Sequence, residues 1–259
     1  MKNIAIKRET KCRICKSSSK VQSIFDLKST PIADYYSIIK LDNQKKYELS
    51  LKFCKNCNYT FLSKTLKADV SYTNYLYHTS TTTGLGNHYD EYIDSITKKF
   101  KILPKSLVLD IGSNDGSMLL SMKKKGLNPL GIEPAKKISD FANSKKLKTI
   151  NAYFNDQLVK KILKKYGKPK IITANYMFAN VDDISLFVKN IFNIIDEQGI
   201  FVIQTGYHPV QFSNMMFDYI YHEHYSYFSL FSLIKLLKKN DLKLVDASIN
   251  NHKLGSLRA

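Results

Sequence analysis

Asp110-Ile-Gly-Ser-Asn-Asp-Gly116 decides the fold. It follows a short apolar run, Ser106–Ile111, that reads as a buried strand, and it precedes Ser117–Lys125, which reads as a helix. A glycine-containing turn between a strand and a helix is where open α/β sheets bind their ligands. Gly112 lets the backbone turn tightly and approach a ligand, and Gly116 lets the helix start close against the strand. The spacing is GxxxG, not the GxGxxG that cradles a pyrophosphate. It therefore argues against a nicotinamide dinucleotide and for a cofactor without a pyrophosphate. The helix N-terminus still suits a carboxylate such as that of a methionine moiety.

Working outward, the next strand, Pro129–Ile132, ends in Glu133-Pro134. A carboxylate at that position accepts hydrogen bonds from both ribose hydroxyls. Strands and helices then alternate: helix Ile138–Ser144, weak strand Thr149–Tyr153, helix Gln157–Tyr166, strand Lys170–Ala174, helix Ile184–Ile195 and strand Gly199–Gln204. After an aromatic, irregular stretch, Tyr207–Tyr227, come helix Leu230–Lys239 and two last strands, Leu242–Ser248 and Ser256–Ala259. The pattern predicts an α/β fold, a seven-stranded Rossmann-like sheet of the methyltransferase variant. Asp110, Gly112, Ser113, Asn114, Gly116, Glu133 and Pro134 are the candidate cofactor contacts, with Phe154 and Asn175, just past the third and fourth strands, completing the set.

The four cysteines form two pairs, Cys12-Arg-Ile-Cys15 and Cys54-Lys-Asn-Cys57. Two intervening residues let both thiolates of a knuckle face one ion, and two knuckles complete a tetrahedral four-thiolate zinc site. The long gap between pairs calls for extra structure, a strand pair around Ile24–Leu27 and Tyr47–Phe53. A disulfide framework conflicts with a reducing compartment, and a redox CxxC needs no second copy. With every cysteine used, no coordination position stays open, so the ion is structural. Residues 1–70 are thus a zinc-binding module, 71–100 a Tyr-rich loop (Ser71–His88) with a linking helix (Tyr89–Phe100), and 101–259 the Rossmann-like domain.

The 259 residues carry a formal charge of +18. The lysines are scattered rather than gathered in a stripe, which disfavours nucleic acid as a partner and suits anionic small molecules. A zinc-ribbon nucleic-acid-binding protein stays as the reading of another class. No apolar run reaches 18 residues and the N-terminus has no apolar h-region, so neither a membrane span nor a secretory signal is expected; the location read is cytoplasmic.

Several motifs in fixed order carry a resemblance: the zinc pairs, Tyr75-Leu-Tyr-His-Thr-Ser80, Asp110–Gly116, Gly131-Ile-Glu-Pro-Ala135, Tyr221-His-Glu-His-Tyr-Ser-Tyr-Phe-Ser229 and Gly255-Ser-Leu-Arg258. Together they resemble the nucleotide-sugar C-methyltransferases, which add a branch methyl to deoxy-keto sugars. The resemblance implies S-adenosylmethionine as cofactor and a nucleotide-sugar acceptor. It also implies a reaction centre at Tyr221, Glu223 and His224 with Tyr77 from the Tyr-rich loop. His224, at its ordinary pKa, would be the base that removes a proton beside a ketone. Glu223 would orient it or share that proton, and Tyr221 and Tyr77 would donate to an enolate oxygen. An O-methyltransferase on a nucleotide-activated acceptor would use the same groups. In two respects the sequence departs from the family pattern. Asn180 stands where the family has a histidine, and the sequence given ends at Ala259, before the family's further α/β domain, so a fragment and a smaller acceptor both stay open.

Overall fold

A computed structural model describes residues 6–32, 45–66, 75 and 77–259. The chain forms two compact units. One comprises Met1–Ser71, Phe178–Leu186 and Thr205–Ala259; the other comprises Tyr72–Met177 and Phe187–Gln204.

The first strands are β1 (Ile6–Arg8), β2 (Val21–Thr30), β3 (Tyr47–Cys54), β4 (Tyr59–Leu62) and β5 (Lys64–Leu66). β2, β3 and β4 form an antiparallel meander, and β1 pairs with β5. The expected strand pair around Ile24–Leu27 and Tyr47–Phe53 is β2 with β3, joined through Leu27↔Leu49. Helix α1 (Leu85–Lys99) comes next, then the alternating series β6 (Leu107–Ile111), α2 (Ser117–Lys124), β7 (Asn128–Ile132), α3 (Lys136–Ser144), β8 (Thr149–Ile150), α4 (Asp156–Tyr166), β9 (Ile171–Asn175), α5 (Ile184–Ile194) and β10 (Ile200–Gly206). The chain ends with α6 (His208–Ser213), β11 (Ser226–Tyr227), α7 (Leu230–Lys239), β12 (Ser248–Asn250) and β13 (Ser256–Arg258).

The second unit is built on five parallel strands in the order β10-β9-β6-β7-β8. Their runs, such as Leu107-Val-Leu and Ile171-Ile172, are apolar on both faces, as parallel strands covered by helices on each side require. The chain leaves β6 toward β7 and β8, then crosses back to β9 and β10. The order therefore reverses between β6 and β9, which opens a crevice at their carboxyl ends. β10 runs on into the first unit, where the antiparallel pair β12-β13 completes the seven-stranded order. A core of Leu85, Tyr89, Ile93, Met118, Leu119 and Ile171 packs α1 and α2 on the parallel sheet. In the first unit Leu49, Leu51 and Leu62 pack with Tyr225 and Tyr227, and β11 extends the meander beside β4.

Some local expectations shift. The linking helix begins at Leu85 rather than Tyr89, because Gly84 takes a φ of +81° at its N-cap and Leu85 and His88 are buried. Thr79–Thr81 is a turn of 3-10 helix inside the expected Tyr-rich loop; residues 71–74 and 76 of that loop lie outside the described residues. Leu242–Ser248 is not a strand: β12 begins at Ser248, and Val245 is exposed, so nothing rewards its pairing. The third parallel strand is only Thr149–Ile150. Past it, Asn151 turns its amide onto the Glu133 and Pro134 carbonyls at 2.9 and 2.8 Å.

Candidate active site and metal centre

At the carboxyl end of β6 the backbone folds into a cradle. Gly112 has φ +71°, Asn114 +48° and Gly116 +83°. A β-carbon on Gly112 would stand 2.7 Å from Met177 Cγ, and one on Gly116 2.7 Å from Leu147 Cδ1. Both conformation and space thus demand glycine. The Gly112 and Ser113 amides donate to the Ile132 carbonyl at 2.8 and 3.0 Å, which ties the turn to the end of β7.

Glu133, 4% exposed, closes the cradle. Its Oε2 accepts from the Asn114 amide at 3.0 Å and its Oε1 from the Ala135 amide at 2.8 Å. Burial pushes this carboxyl above its ordinary pKa, and the two amides pull it back. Each oxygen keeps a further acceptor position for a ligand hydroxyl. Asp110 is buried deeper, its Oδ1 accepting from Thr173 Oγ1 at 2.5 Å and Asn175 Nδ2 at 3.4 Å. Burial dominates there and raises its pKa to about 7, with Glu133 adding to the rise. Two buried polar atoms of this site, Ser113 Oγ and Asn175 Oδ1, have no hydrogen-bond partner. Such atoms are costly unless a ligand meets them, so the donor set suits a polar cofactor seated here. Pro134 lies between the Glu133 and Ala135 contacts, and Phe154 packs edge-on against Phe187 at 5.2 Å.

Tyr77 belongs to the same unit. Its carbonyl accepts from Asn114 Nδ2 at 3.0 Å, and its hydroxyl meets Thr82 Oγ1 at 2.7 Å. The Thr79 amide donates to Asn114 Oδ1 at 2.9 Å and the Ser80 amide to Asp115 Oδ2 at 2.8 Å. The Tyr-rich segment is thus stitched to the glycine turn by side chains of the turn. Thr173, Asp115 and Asn151 were not among the sequence candidates. Asp115 carried the only available signal, as the acid within the glycine turn.

Tyr221, Glu223 and His224 lie in the first unit. His224 Nδ1 donates to the Tyr219 carbonyl at 3.0 Å, which leaves Nε2 to accept from the Tyr221 hydroxyl at 2.9 Å. Their rings lie 4.1 Å apart. The expectation of an ordinary histidine pKa is not met: burial, with the Lys253 cation nearby, pushes His224 down to about 4. It is therefore a neutral imidazole of fixed tautomer at neutral pH. Glu223 is buried beside it. Asn180 ends a 3-10 turn, Phe178–Asn180, in the same unit.

The four cysteine sulfurs lie within 4.8 Å of one another, and Cys15 Sγ and Cys54 Sγ are 3.7 Å apart. A tetrahedron with Zn–S bonds of about 2.3 Å has edges of about 3.8 Å, so the set fits one zinc ion and is too wide for disulfides. Cys54 ends β3, and Cys57 precedes the left-handed Asn58, whose turn leads into β4. Arg13, buried between the first two ligands, donates to the Val181 carbonyl at 2.6 Å and pairs with Glu9 at 3.3 Å. Lys239 Nζ donates to the Ile14 carbonyl at 2.5 Å.

Comparison with known proteins finds a methyltransferase domain and a zinc-binding module. Residues 86–247 match a family profile described as "Methyltransferase domain". Residues 12–72 match one described as "Putative zinc binding domain". A curated relative, the C-methyltransferase NovU of Streptomyces niveus, is 26% identical over 248 residues, 95% of this chain; the chain spans 59% of that protein's length. Among solved structures, an S-adenosylmethionine-dependent methyltransferase from Clostridium acetobutylicum superposes with a TM-score of 0.52 at 13% identity, over 66% of this chain and 89% of that one. The magnesium protoporphyrin IX methyltransferase of Synechocystis, solved with bound S-adenosylhomocysteine, gives 0.51 at 13% identity, over 67% and 81%. At these identities the structures establish the fold.

Proposed function

Since the chain belongs to the methyltransferase-domain family through residues 86–247, we propose that it transfers the methyl group of S-adenosylmethionine to a carbon beside a ketone on a nucleotide-linked sugar. The observation that carries methyl transfer is the Gly112–Glu133 cradle, with both carboxylate oxygens braced by backbone amides and acceptor positions left over. The carbon acceptor rests on the likeness to a C-methyltransferase and on the motif order that includes Tyr221–Ser229.

Bound S-adenosylmethionine supplies an electrophilic methyl on a sulfonium centre. Glu133 would hold the ribose hydroxyls, the N-terminus of α2 would suit the methionine carboxylate, and Asn175 Oδ1 would accept from a donor on the cofactor. Asp110, Ser113, Pro134 and Phe154 complete that wall. On the acceptor side, the Tyr221 hydroxyl moves its hydrogen bond from His224 Nε2 to the developing enolate oxygen. That frees the Nε2 lone pair to take the proton from carbon. The Tyr219 carbonyl keeps the histidine oriented through Nδ1, in place of the role expected of Glu223. The zinc ion holds the N-terminal module together and takes no part in the chemistry.

The test is product analysis after incubation with S-adenosylmethionine and keto-deoxysugar nucleotides. A new C–CH3 resonance without a methoxy signal is expected. A methoxy signal would identify an O-methyltransferase using the same groups, and absence of cofactor binding in calorimetry would remove both.

A further inference from the structure

Residues 77–84 lie against the glycine turn with their outer side in water. Thr79 alone among them is buried, while Tyr77, Ser80, Thr81, Thr83 and Gly84 are exposed. The segment is closed on itself: the Tyr77 and Thr82 hydroxyls meet at 2.7 Å, the Thr81 hydroxyl donates to the His78 carbonyl at 2.7 Å, and the Thr82 amide donates to the Thr79 carbonyl at 3.1 Å. A segment bonded in this way moves as one piece. Beyond it, the buried Leu85 and His88 anchor α1. Between the two stands Gly84, with φ +81° and no atom within 4 Å of where its β-carbon would be. A left-handed glycine in open space beside an anchored helix absorbs a change of backbone angle at little cost.

The grip on this segment is polar and comes from two consecutive residues of the turn. Asn114 holds the Tyr77 carbonyl and the Thr79 amide, and Asp115 holds the Ser80 amide. The His78 ring adds an edge-on contact with Phe141 at 5.1 Å, and its Nδ1 stands 3.9 Å from Asp115 Oδ2. A surface segment held mainly by hydrogen bonds belongs to the low end of local stability. Yet it covers the turn: both ends of the Asn114 side-chain amide are occupied by it, and Asn114 is only 8% exposed. Asn114 also connects the segment to the acid below. Its left-handed backbone, φ +48°, aims its N–H at Glu133 Oε2, while its side chain grips the segment.

We propose that residues 77–83 form a strap that pivots at Gly84, opens to admit and release the cofactor, and is latched by Asn114 and Asp115 once the ribose is held at Glu133. The proposal rests on the ribose seat assigned to Glu133 and extends it to the control of exchange. A ligand reaches the turn only where its cover lifts. Ribose hydroxyls on Glu133 would steady the carboxylate that receives the Asn114 amide, so the latch tightens when the seat is filled. Asn114 is then a positioning residue for the strap, acting through its side chain, in addition to its place beside the cofactor.

The test is amide hydrogen exchange, resolved by NMR, on the zinc-loaded chain free and saturated with S-adenosylhomocysteine. Release of that ligand is timed in parallel by stopped-flow tyrosine fluorescence. In the native protein, ligand at about 100 times its dissociation constant should slow exchange at Asn114, Ala135 and Ser80 by about tenfold or more. Asn114→Gly keeps the left-handed backbone and the bond to Glu133 but removes both grips on the strap. In that variant Ser80, whose own acceptor is Asp115, should exchange roughly 25- to 100-fold faster, from two lost hydrogen bonds of about five- to tenfold each. The ligand should leave faster by a similar factor. Amides inside β6, such as Leu109, should keep native protection, which separates an opened strap from a loosened fold. Slowed exchange at Asn114 and Ala135 with none at Ser80 in the native protein would overturn the strap and leave the ribose seat standing, as would native release from Asn114→Gly. Binding that protects neither Asn114 nor Ala135 would remove the seat and the strap together, and so would absence of binding. Where the glycine variant fails to fold, the native comparison at Ser80 decides alone.

Discussion

Glu133→Gln isolates the side chain to which the proposed function assigns the cofactor's ribose. In the native side chain both oxygens accept, Oε1 from Ala135 N at 2.8 Å and Oε2 from Asn114 N at 3.0 Å. Glutamine offers one acceptor oxygen and one amino group. Whichever way its amide is turned, one of the two backbone amides faces another donor, and on the proposed reading one ribose hydroxyl would lose its acceptor. A hydrogen bond to a charged group contributes about 1.5–3 kcal/mol, and each 1.4 kcal/mol is about tenfold in affinity. The dissociation constant for S-adenosylmethionine should therefore rise about 10- to 150-fold. Calorimetry at 25 °C measures it, with thermal unfolding of the cofactor-free protein recorded in parallel. A variant that loses thermal stability but keeps its affinity within about twofold would show that Glu133 only braces the turn, and the ribose assignment would fall.

Three further outcomes follow from other groups. Asp110, raised to about 7 from an ordinary 3.8, holds its proton in the folded state while the unfolded chain ionises. The stability it contributes below about pH 4 is lost as pH rises to 7, so between pH 5.5 and 8.5 native cofactor-free protein should lose roughly 2 kcal/mol relative to Asp110→Asn; a pH-independent difference in urea unfolding would refute this. His224, pushed down to about 4, should show an imidazole NMR titration midpoint near 4, and His224→Ala should abolish turnover while cofactor affinity stays within a few-fold; a midpoint above 6, or turnover like the native enzyme's in the variant, contradicts the assigned role. Elemental analysis should find one zinc per chain, and a strong chelator or Cys57→Ser should unfold the first unit, seen as loss of its tyrosine near-ultraviolet dichroism; an unchanged spectrum without zinc would remove the structural role.

What could be read in advance was what local backbone chemistry dictates. Gly112 and Gly116 announce themselves because no other residue tolerates their φ angles and contacts. Glu133 is legible through its distance from them along an alternating strand–helix pattern, and the cysteines through a spacing that a tetrahedral ion requires. The rest depends on groups far apart in sequence. Nothing near Thr79 or Ser80 signals that their amides dock on Asn114 and Asp115, since those bonds form only once β6 and α2 have placed the turn. The depressed His224 is equally silent in sequence, because its burial is created by tertiary packing around Tyr219 and Tyr221. Leu242–Ser248 carries enough apolar residues to read as a strand, yet apolar content does not say where pairing begins, and β12 starts only at Ser248.

The make-up of the first unit sets a schedule. Its cysteines all lie within the first 57 residues, while Tyr59 hydrogen-bonds Ser226, 167 positions later, and Lys239, 225 positions beyond Ile14, caps a knuckle carbonyl. During synthesis the four thiols emerge long before the segments that will cover them, and loops of that length close slowly. Early zinc capture would hold the knuckles as a preformed island until residues 205–259 arrive. Supply of the metal while the chain is being made, rather than after release, should then govern how much of it reaches its native state.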